Sequence, residues 1–193
     1  SPYIRPEMME RVPLSLQDAF LLRLKRWEDN RGFFTEAFRQ SWEKELGLPT
    51  FVQENVSYSR RHVLRGLHFQ RPPAAQAKLV TVLSGHIQDV IVDLRSTSPT
   101  YKKWQAVALR SDSEAWEWLY VPAGFAHGFL VLSAEAYVWY RCSAYYVPEL
   151  DGGIRWDDPE IGIAWPVGTE PPILSAKDMS LPYLRDLQPH PFV

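Results

Sequence analysis

The stretch VLRGLHFQRPPAAQAKLVTVLSGHIQDVIVD, residues 63–93, decides the fold. Its β-branched and apolar residues predict two buried strands joined by the tight Ser84-Gly85 turn. His68 lies in an extended segment just after Arg65, and Lys78 begins the first of the apolar strands. The stretch therefore predicts a base and two cations on neighbouring strands, an arrangement that suits removal of a proton beside a carbonyl and stabilisation of the resulting oxyanion.

The remaining sequence predicts short strands separated by turns, with little helix. An Asp-Asn-Arg-Gly turn at 29–32 is typical of a hairpin, because Asn and Gly tolerate positive φ. Short helices are predicted at 39–46, ended by Gly47, and at 177–187. The predicted strands are 19–26, 33–38, 51–59, 63–69, 78–83, 87–94, 104–109, 117–121, 128–132 and 137–143. Because helices between the strands are missing, we expect an all-β sandwich or barrel with a few short peripheral helices rather than a doubly wound α/β fold.

Length and composition predict one folded domain that spans residues 1–193. The net charge of −2 and the isoelectric point near 6.2 provide no electrostatic footprint for nucleic acid or a membrane surface. No apolar run approaches the roughly 20 residues that span a bilayer, and the N-terminal SPYIRPEMMER lacks the apolar core of a signal peptide. The single cysteine, Cys142, excludes an internal disulfide framework and a CxxC metal site, and it fits a cytoplasmic location.

Strand periodicity predicts that two polar side chains point into the interior. Lys78 is in register with the apolar Val80, and Tyr140 is in register with Val138. An inward lysine or tyrosine is costly unless it forms a hydrogen bond or binds a ligand. The alternatives are a strand-end lysine whose ammonium reaches solvent and a core tyrosine whose hydroxyl already has a partner.

His68 and Asp178 are the candidates for acid–base chemistry, and each has a structural alternative. His68 is a base, a metal ligand or a hydrogen-bonded core histidine, and its neighbour Arg65 beside the flexible Gly66 suggests anion binding. Asp178 closes the sequence Ser175-Ala-Lys-Asp, which matches a helix capping box. The functional alternative is that its carboxylate orients His68 through a hydrogen bond and raises the basicity of the ring.

The segment VPAGFAH, residues 121–127, resembles the second sequence motif of the cupins, PxGxxH. That motif makes a turn and places a histidine, here His127, inside a small β-barrel. The first cupin motif, with HxH and a later Glu, is missing. A metal site of this class needs three or four protein ligands, and the sequence offers His127 and His68. We therefore expect no bound metal.

Eight motifs in a fixed order carry a family resemblance. They are DNRGFFTE (29–36), QEN (53–55), LRGLHF (64–69), QAK (76–78), PAGFAHGF (122–129), YRC (140–142), GIRWDDP (153–159) and LSAKD (174–178). The ordered set, from about residue 14 to about residue 187, resembles the dTDP-4-dehydrorhamnose 3,5-epimerase family of cupin-fold sugar-nucleotide epimerases. The resemblance implies a cupin-type jelly-roll β-barrel, a homodimer, no metal or organic cofactor, and a dTDP-4-keto-6-deoxyhexose substrate.

The resemblance also implies roles for individual residues in the inversion of C3 and C5 of this sugar. The implied catalytic residues are His68 as the base, Asp178 as its hydrogen-bonded partner, Lys78 near the C4 oxygen and Tyr140 as the acid on the opposite face. The implied binding residues are Arg31 and Arg65 at the diphosphate, Gln53 and Asn55 near the substrate, Phe34 and Tyr146 around the thymine, and Glu36 and His127 within the matching motifs. One of the two aromatic residues is expected from the other subunit.

Three other functions stay open on the sequence alone. Relatives on other deoxysugar pathways invert only C3 or only C5, and the motifs do not decide between single and double inversion. A metal-dependent cupin oxygenase or isomerase would contain stoichiometric iron, zinc or manganese. A non-catalytic nucleotide-sugar binding module would tolerate His68→Asn and Tyr140→Phe without loss of function.

Overall fold

The computed structural model describes residues 7–193, and residues 1–6, which begin the segment SPYIRPEMMER, lie outside the described residues. Two antiparallel sheets and a separate hairpin contain all the strands of this part of the chain. The six-stranded sheet contains, in spatial order, β1 (Met9–Pro13), β2 (Phe20–Lys25), β10 (Ala115–Val121), β7 (Lys78–Ser84), β12 (Glu135–Cys142) and β5 (Gln53–Arg60). The five-stranded sheet contains β13 (Asp151–Gly153), β6 (Leu64–Gln70), β11 (Phe125–Val131), β8 (His86–Asp93) and β9 (Trp104–Arg110). The hairpin consists of β3 (Trp27–Asp29) and β4 (Gly32–Phe34).

Helical structure is limited to short segments at the periphery. The α-helices are α1 (Ser41–Glu45) and α2 (Ala176–Met179), and 3₁₀ turns occur at Pro148–Leu150 and Leu184–Asp186. Within residues 7–193, no helix has the length and apolar character needed to cross a membrane. The expectation of an all-β, jelly-roll type of fold with a few short helices is confirmed.

The apolar residues form three layers, because both faces of each sheet carry buried side chains. The inner faces meet between the sheets, where Val80 of the six-stranded sheet and Ile91 of the five-stranded sheet are fully buried. The segment around α1 covers the outer face of the six-stranded sheet, and Trp42 is its main buried side chain. The C-terminal segment covers the outer face of the five-stranded sheet through Leu184 and Leu187. The apolar layer between the two sheets therefore packs them against each other, and the outer layers cover their outer faces.

The expectation that His68 and Lys78 lie on neighbouring strands is wrong. β6 pairs with β11 and β13, whereas β7 pairs with β10 and β12 in the other sheet. The loop that contains Pro72-Pro73 carries the chain from one sheet to the other, and the Ser84-Gly85 turn carries it back. The two side chains consequently face each other from opposite walls instead of standing side by side.

Two predicted elements are shorter in the structure than the sequence indicates. The strand predicted at 33–38 ends with β4, because Thr35 turns away and donates its hydroxyl to a backbone carbonyl of β2 at 2.9 Å. The helix predicted at 177–187 breaks into α2 and a 3₁₀ turn. Pro182 lies between these two pieces, where it lacks an N–H and disfavours helical backbone at the preceding residue. The sequence pattern also does not predict the short strands β1 and β13.

A register shift between β6 and β11 places Arg65 and His68 on the same side of the sheet. Residues three apart in a regular strand point to opposite faces. Here His68 pairs with His127 but Arg65 pairs with Phe129, so three steps along β6 match two along β11. Gly66 occupies the shift at φ +134°, and a Cβ there would lie 2.7 Å from a backbone carbon of β11. A glycine is therefore required at this position for Arg65 and His68 to lie on the same side of β6.

Candidate active site

A cavity of about 150 Å³ lies between the two sheets. Its lining residues are Ser57, Arg65, His68, Lys78, His127, Gly128, Phe129 and Tyr140. β6 and β11 supply one wall, and β5, β7 and β12 supply the other. The cavity thus brings together three of the four predicted catalytic residues, and the fourth, Asp178, contacts the cavity through His68.

The Asp178 carboxylate is hydrogen-bonded to His68 and does not cap a helix. His68 Nε2 lies 2.6 Å from Asp178 Oδ1, and the Gly66 N–H donates to Asp178 Oδ2 at 3.0 Å. The helix cap is provided instead by Ser175, whose Oγ accepts from the Asp178 N–H at 3.1 Å. Burial favours a raised pKa for Asp178, but the hydrogen bond and charge of His68 and the Gly66 N–H outweigh it, so the pKa is lowered. The aspartate is therefore a carboxylate at neutral pH and holds His68 by a charge-assisted bond.

Lys78 points into the cavity rather than toward the outer solvent. Its Nζ lies 5.5 Å from the centre of the Tyr140 ring. Burial lowers the pKa of Lys78, and the negative potential of Cys142, Asp89 and Asp151 partly offsets this effect. A partly desolvated ammonium in such a cavity acts strongly on any negative charge that develops beside it.

Tyr140 stands on the wall opposite His68, on β12, which lies between β7 and the edge strand β5 of the six-stranded sheet. It pairs with Asn55 on β5 and with Val80 on β7. Burial raises the pKa of Tyr140, and a hydrogen bond with the Asn55 side chain lowers it by a smaller amount. The phenol is therefore protonated across the neutral range and able to donate a proton into the cavity.

His127 forms a second histidine–aspartate pair, with an aspartate that the sequence pattern does not single out. His127 Nε2 lies 2.7 Å from Asp89 Oδ2, and both side chains are buried. Burial raises the pKa of Asp89, against the opposing effects of His127 and Lys78, and its Oδ1 has no hydrogen-bond partner. An acidic residue inside the apolar run HIQDVIVD is the signal that could have identified it, since buried aspartates are rare unless paired. Within residues 7–193, no group of three or more His, Cys, Asp or Glu side chains is arranged to hold a metal ion.

Arg65 is fixed at the cavity by contacts from β5. Its Nε donates to Ser59 Oγ at 2.8 Å, and its Nη2 donates to the Tyr58 carbonyl at 3.0 Å. These bonds orient the guanidinium plane while leaving further N–H groups for an anion. The anion-binding role of Arg65 stays a prediction.

Gln53, Asn55 and Tyr146 form a connected group next to the cavity strands. Gln53 Nε2 donates to Asn55 Oδ1 at 3.1 Å, and the Tyr146 N–H donates to Gln53 Oε1 at 3.0 Å. The ring of Tyr146 is half exposed. A partly exposed, anchored aromatic side chain is suited to stacking on a flat ligand.

Arg31, Phe34 and Glu36 do not line this cavity. They lie on or beside the β3–β4 hairpin, where Arg31 pairs with Asp29 at 2.5 Å and Glu36 pairs with Arg39 at 2.5 Å. The Phe34 side chain is 71% exposed, an unusual state for a phenylalanine. The hairpin therefore presents a charge and an aromatic ring away from the cavity of its own chain.

Residues 13–186 match the family described as dTDP-4-dehydrorhamnose 3,5-epimerase. Over 177 residues, the chain is 48% identical to a dTDP-4-dehydrorhamnose 3,5-epimerase of Methanothermobacter thermautotrophicus, and the match covers 91% of this chain and 94% of the relative. A relative of the same name from Neisseria gonorrhoeae is 46% identical over 173 residues, or 89% of this chain. The chain spans about half of that second relative, 52% of its length.

Solved structures with the same fold carry related descriptions. The dTDP-4-dehydrorhamnose 3,5-epimerase of Bacillus anthracis, solved with TDP and PPi bound, gives a TM-score of 0.86 at 46% identity, covering 91% of this chain and 99% of that one. A 3′-monoepimerase from Streptomyces bikiniensis, in complex with dTDP-quinovose, gives 0.81 at 36% identity, covering 90% and 87%. With its ordered motifs, its two-sheet fold and these matches over nearly its whole length, the chain belongs to the dTDP-4-dehydrorhamnose 3,5-epimerase family.

Proposed function

We propose that this protein is an isomerase that inverts C3 and C5 of dTDP-4-keto-6-deoxy-D-glucose to give dTDP-4-keto-L-rhamnose, without a metal or an organic cofactor. One observation carries the proposal. The His68–Asp178 pair and Tyr140 stand on facing walls of a single cavity that also contains Lys78. A base on one wall and an acid on the other can address opposite faces of one sugar ring, which is what inversion of a carbon requires.

The proposed chemistry begins at a carbon next to the C4 ketone, which acidifies the hydrogens on C3 and C5. Donation from His68 Nε2–H to Asp178 leaves the lone pair on Nδ1, so Nδ1 is the atom that removes the proton. The electron pair of the broken C–H bond moves to the C4 oxygen and forms an enolate. The Lys78 ammonium stabilises that oxyanion, and loss of one such preorganised donor typically costs about 3–4 kcal/mol. Tyr140 then donates its phenolic proton to the opposite face of the same carbon.

The nucleotide is held by the binding residues that the motifs single out. A guanidinium pairs bidentately with phosphate oxygens, so we assign the diphosphate to Arg65 and Arg31. Phe34 and Tyr146 would stack on the two faces of the thymine. The proposed sugar and rim contacts are Glu36, Gln53, Asn55 and His127.

The proposed assembly is a homodimer in which each β3–β4 hairpin completes the partner's site. Support comes from the exposed Trp27, Phe33 and Phe34, and from the fact that Arg31 is not among the residues that line the cavity of its own chain. Exposed aromatic rings of this kind are typical of a protein interface.

A mixing experiment tests the exchanged hairpin. His68→Asn and Phe34→Ala subunits, each weakly active alone, are exchanged under mild denaturant and assayed together. If the hairpin acts across the interface, one site of each mixed dimer has both His68 and Phe34 intact, and turnover returns toward a quarter of the wild-type value. If native mass spectrometry shows that mixed dimers have formed but turnover does not recover, the exchanged hairpin is refuted.

The catalytic assignment is tested by His68→Asn, which keeps the ring position polar but removes the base. We expect turnover of dTDP-4-keto-6-deoxyglucose to fall by at least about 100-fold, within the range for general-base catalysis. Titration calorimetry should show dTDP affinity unchanged within about twofold, because the nucleotide contacts lie on other residues. Turnover comparable to wild type would remove His68 from the role of base.

A single inversion, at C3 only or C5 only, is the second candidate. The likeness to the Streptomyces bikiniensis 3′-monoepimerase supports it, because that protein shares the fold at 36% identity. The number of carbons that exchange with solvent separates the two candidates. Under either, we propose a cytoplasmic enzyme, in keeping with the one free, buried Cys142.

A further inference from the structure

The segment after β12, residues 144–147, is held by side chains instead of by a neighbouring strand. Gln70, at the end of β6, makes the largest contribution. Its Nε2 donates to the Tyr145 carbonyl at 2.9 Å, and its Oε1 accepts from the Val147 N–H at 2.9 Å. The same Nε2 also donates to the Ala74 carbonyl at 2.7 Å. Gln70 is buried, at 4% exposure, so its amide is committed to these three bonds.

Two further glutamines bind the main chain of the same segment at its other two residues. Gln76 Nε2 donates to the Ala144 carbonyl at 2.8 Å. Gln53 Oε1 accepts from the Tyr146 N–H at 3.0 Å. Each residue from 144 to 147 therefore has one main-chain group bound by a glutamine side chain. We call Gln53, Gln70 and Gln76 the glutamine clamp.

The clamp fixes the backbone of this segment but leaves two of its aromatic rings exposed to solvent. Tyr145 is 68% exposed and Tyr146 is 51% exposed. The Tyr146 hydroxyl lies 3.4 Å from Asp151 Oδ2, so the ring has a contact at its far end as well. A loop with a locked main chain and exposed rings is preorganised, and a ligand that stacks on it does not have to order the loop on binding.

The clamp is also connected to the catalytic wall. Gln70 is two residues after His68 on β6, so the two side chains share one side of that strand. Gln53 belongs to β5, the strand that also carries Ser57 at the cavity and Asn55, whose side chain is hydrogen-bonded to Tyr140. The position of the loop is therefore set by β6, the strand that carries His68, and by β5, the strand that pairs with the strand of Tyr140.

We propose that the glutamine clamp is a positioning device that holds the Tyr146 ring in the orientation for stacking on the nucleobase of a nucleoside diphosphate sugar. This inference rests on the proposed function and deepens it. It gives Gln53 a role beyond substrate contact, because its two amide ends are bonded to the Tyr146 N–H and to Asn55. The clamp acts on binding of the nucleoside half of the substrate and leaves the sugar chemistry to other residues.

The test compares two probes, dTDP and inorganic pyrophosphate, by titration calorimetry on the full-length protein. Gln70→Met and Gln76→Met keep the side-chain length but cannot make the amide bonds. We expect each to weaken dTDP binding, by about tenfold for Gln70→Met, while pyrophosphate binding stays within twofold. In steady-state assays, KM for the sugar nucleotide should rise and kcat should stay within about threefold. Gln105→Met is the matched control, because Gln105 also binds a main-chain N–H, that of Ser15 at 3.0 Å, on a strand outside the cavity.

A second measurement separates positioning from a general loss of structure. In a Tyr146→Ala background, Gln76→Met should have no further effect on dTDP affinity, because the ring that the clamp positions is already missing. Equal weakening of dTDP and pyrophosphate, unchanged dTDP affinity in both clamp variants, or full additivity with Tyr146→Ala would overturn the clamp. If Gln70→Met does not fold, Gln76→Met alone decides the question. A wild-type protein that binds pyrophosphate but not dTDP would instead overturn the proposed function, and the clamp with it.

Discussion

Asp178→Asn is the substitution whose effect can be worked out most fully from the geometry. The carboxylate accepts two bonds, from His68 Nε2 at 2.6 Å and from the Gly66 N–H at 3.0 Å. Asparagine has the same shape but offers one acceptor oxygen and one NH₂ group. If the oxygen stays with the Gly66 N–H, the NH₂ faces Nε2 and draws the lone pair of the imidazole to that atom. The proton then sits on Nδ1, and the ring can no longer accept a proton from the substrate.

The expected loss has two parts. A hydrogen bond to a charged group contributes about 1.5–3 kcal/mol. Because the His68 side chain is 34% exposed, solvent screens the pair, and we take the lower part of this range, about 1.5–2 kcal/mol. At 1.36 kcal/mol per factor of ten, this corresponds to roughly 10- to 30-fold in rate. The second part is larger and already includes the first, because the wrong tautomer removes general-base catalysis altogether, so we expect kcat/KM to fall by about 10²- to 10⁴-fold.

The assay is turnover of dTDP-4-keto-6-deoxyglucose with Ser175→Ala as the control. Ser175 caps α2 by accepting from the Asp178 N–H, and its loss should cost about 1 kcal/mol of stability. This control perturbs the helix without changing the carboxylate, so its kcat/KM should stay within about tenfold of wild type. Equal losses in the two variants would mean that Asp178 only anchors the helix. Retention of wild-type activity in Asp178→Asn would refute the tautomer argument.

The same carboxylate has a consequence for stability at acid pH. The pKa of Asp178 is lower in the folded protein than its ordinary value, so the ionised group stabilises the fold above the unfolded pKa, near ~3.9. That stabilisation is lost as the pH falls through the folded pKa. Asp178→Asn should therefore show a smaller loss of stability on acidification than wild type.

Three further predictions concern the opposite wall and the β6–β11 contact. Tyr140→Phe should lose inversion by at least about 100-fold yet still exchange substrate hydrogen with D₂O, and an absence of exchange would show that the tyrosine also serves the first step. Lys78→Arg should move the alkaline limb of the pH profile of kcat to higher pH, because burial lowers the pKa of Lys78 whereas arginine stays charged. If the limb does not move, it reflects the titration of another group. Gly66→Ala should lower stability by at least about 1–3 kcal/mol in urea unfolding, since its Cβ would lie 2.7 Å from the Gly128 Cα, and a wild-type midpoint would contradict the close approach.

The inward positions of single side chains follow from the sequence, because they depend on the period of one strand. Lys78 and Tyr140 both reach the cavity, as alternation with Val80 and Val138 predicts. The choice between a capping and a histidine-bound Asp178 does not follow from the sequence. It depends on β6 passing beside α2, which is a contact between segments about 110 residues apart.

The arrangement of the two cavity walls also cannot be predicted from the local sequence pattern. Alternation cannot reveal that the Pro72-Pro73 loop changes sheets, so the sequence favours neighbouring strands for His68 and Lys78. The register shift at Gly66 reverses the local rule for Arg65, because the extra step is imposed by pairing with β11. The Asp89 partner of His127 and the glutamine clamp likewise depend on pairing and on loops that meet from distant parts of the chain.

The central claim is that one base and one acid invert carbons next to the C4 ketone. Its most direct test is turnover of dTDP-4-keto-6-deoxyglucose in D₂O, with deuterium located in the product by NMR. The account predicts deuterium at both C3 and C5, each with inverted configuration. Deuterium and inversion at one carbon only would show that the enzyme inverts a single carbon. Binding of the substrate without exchange at either carbon would contradict the catalytic account.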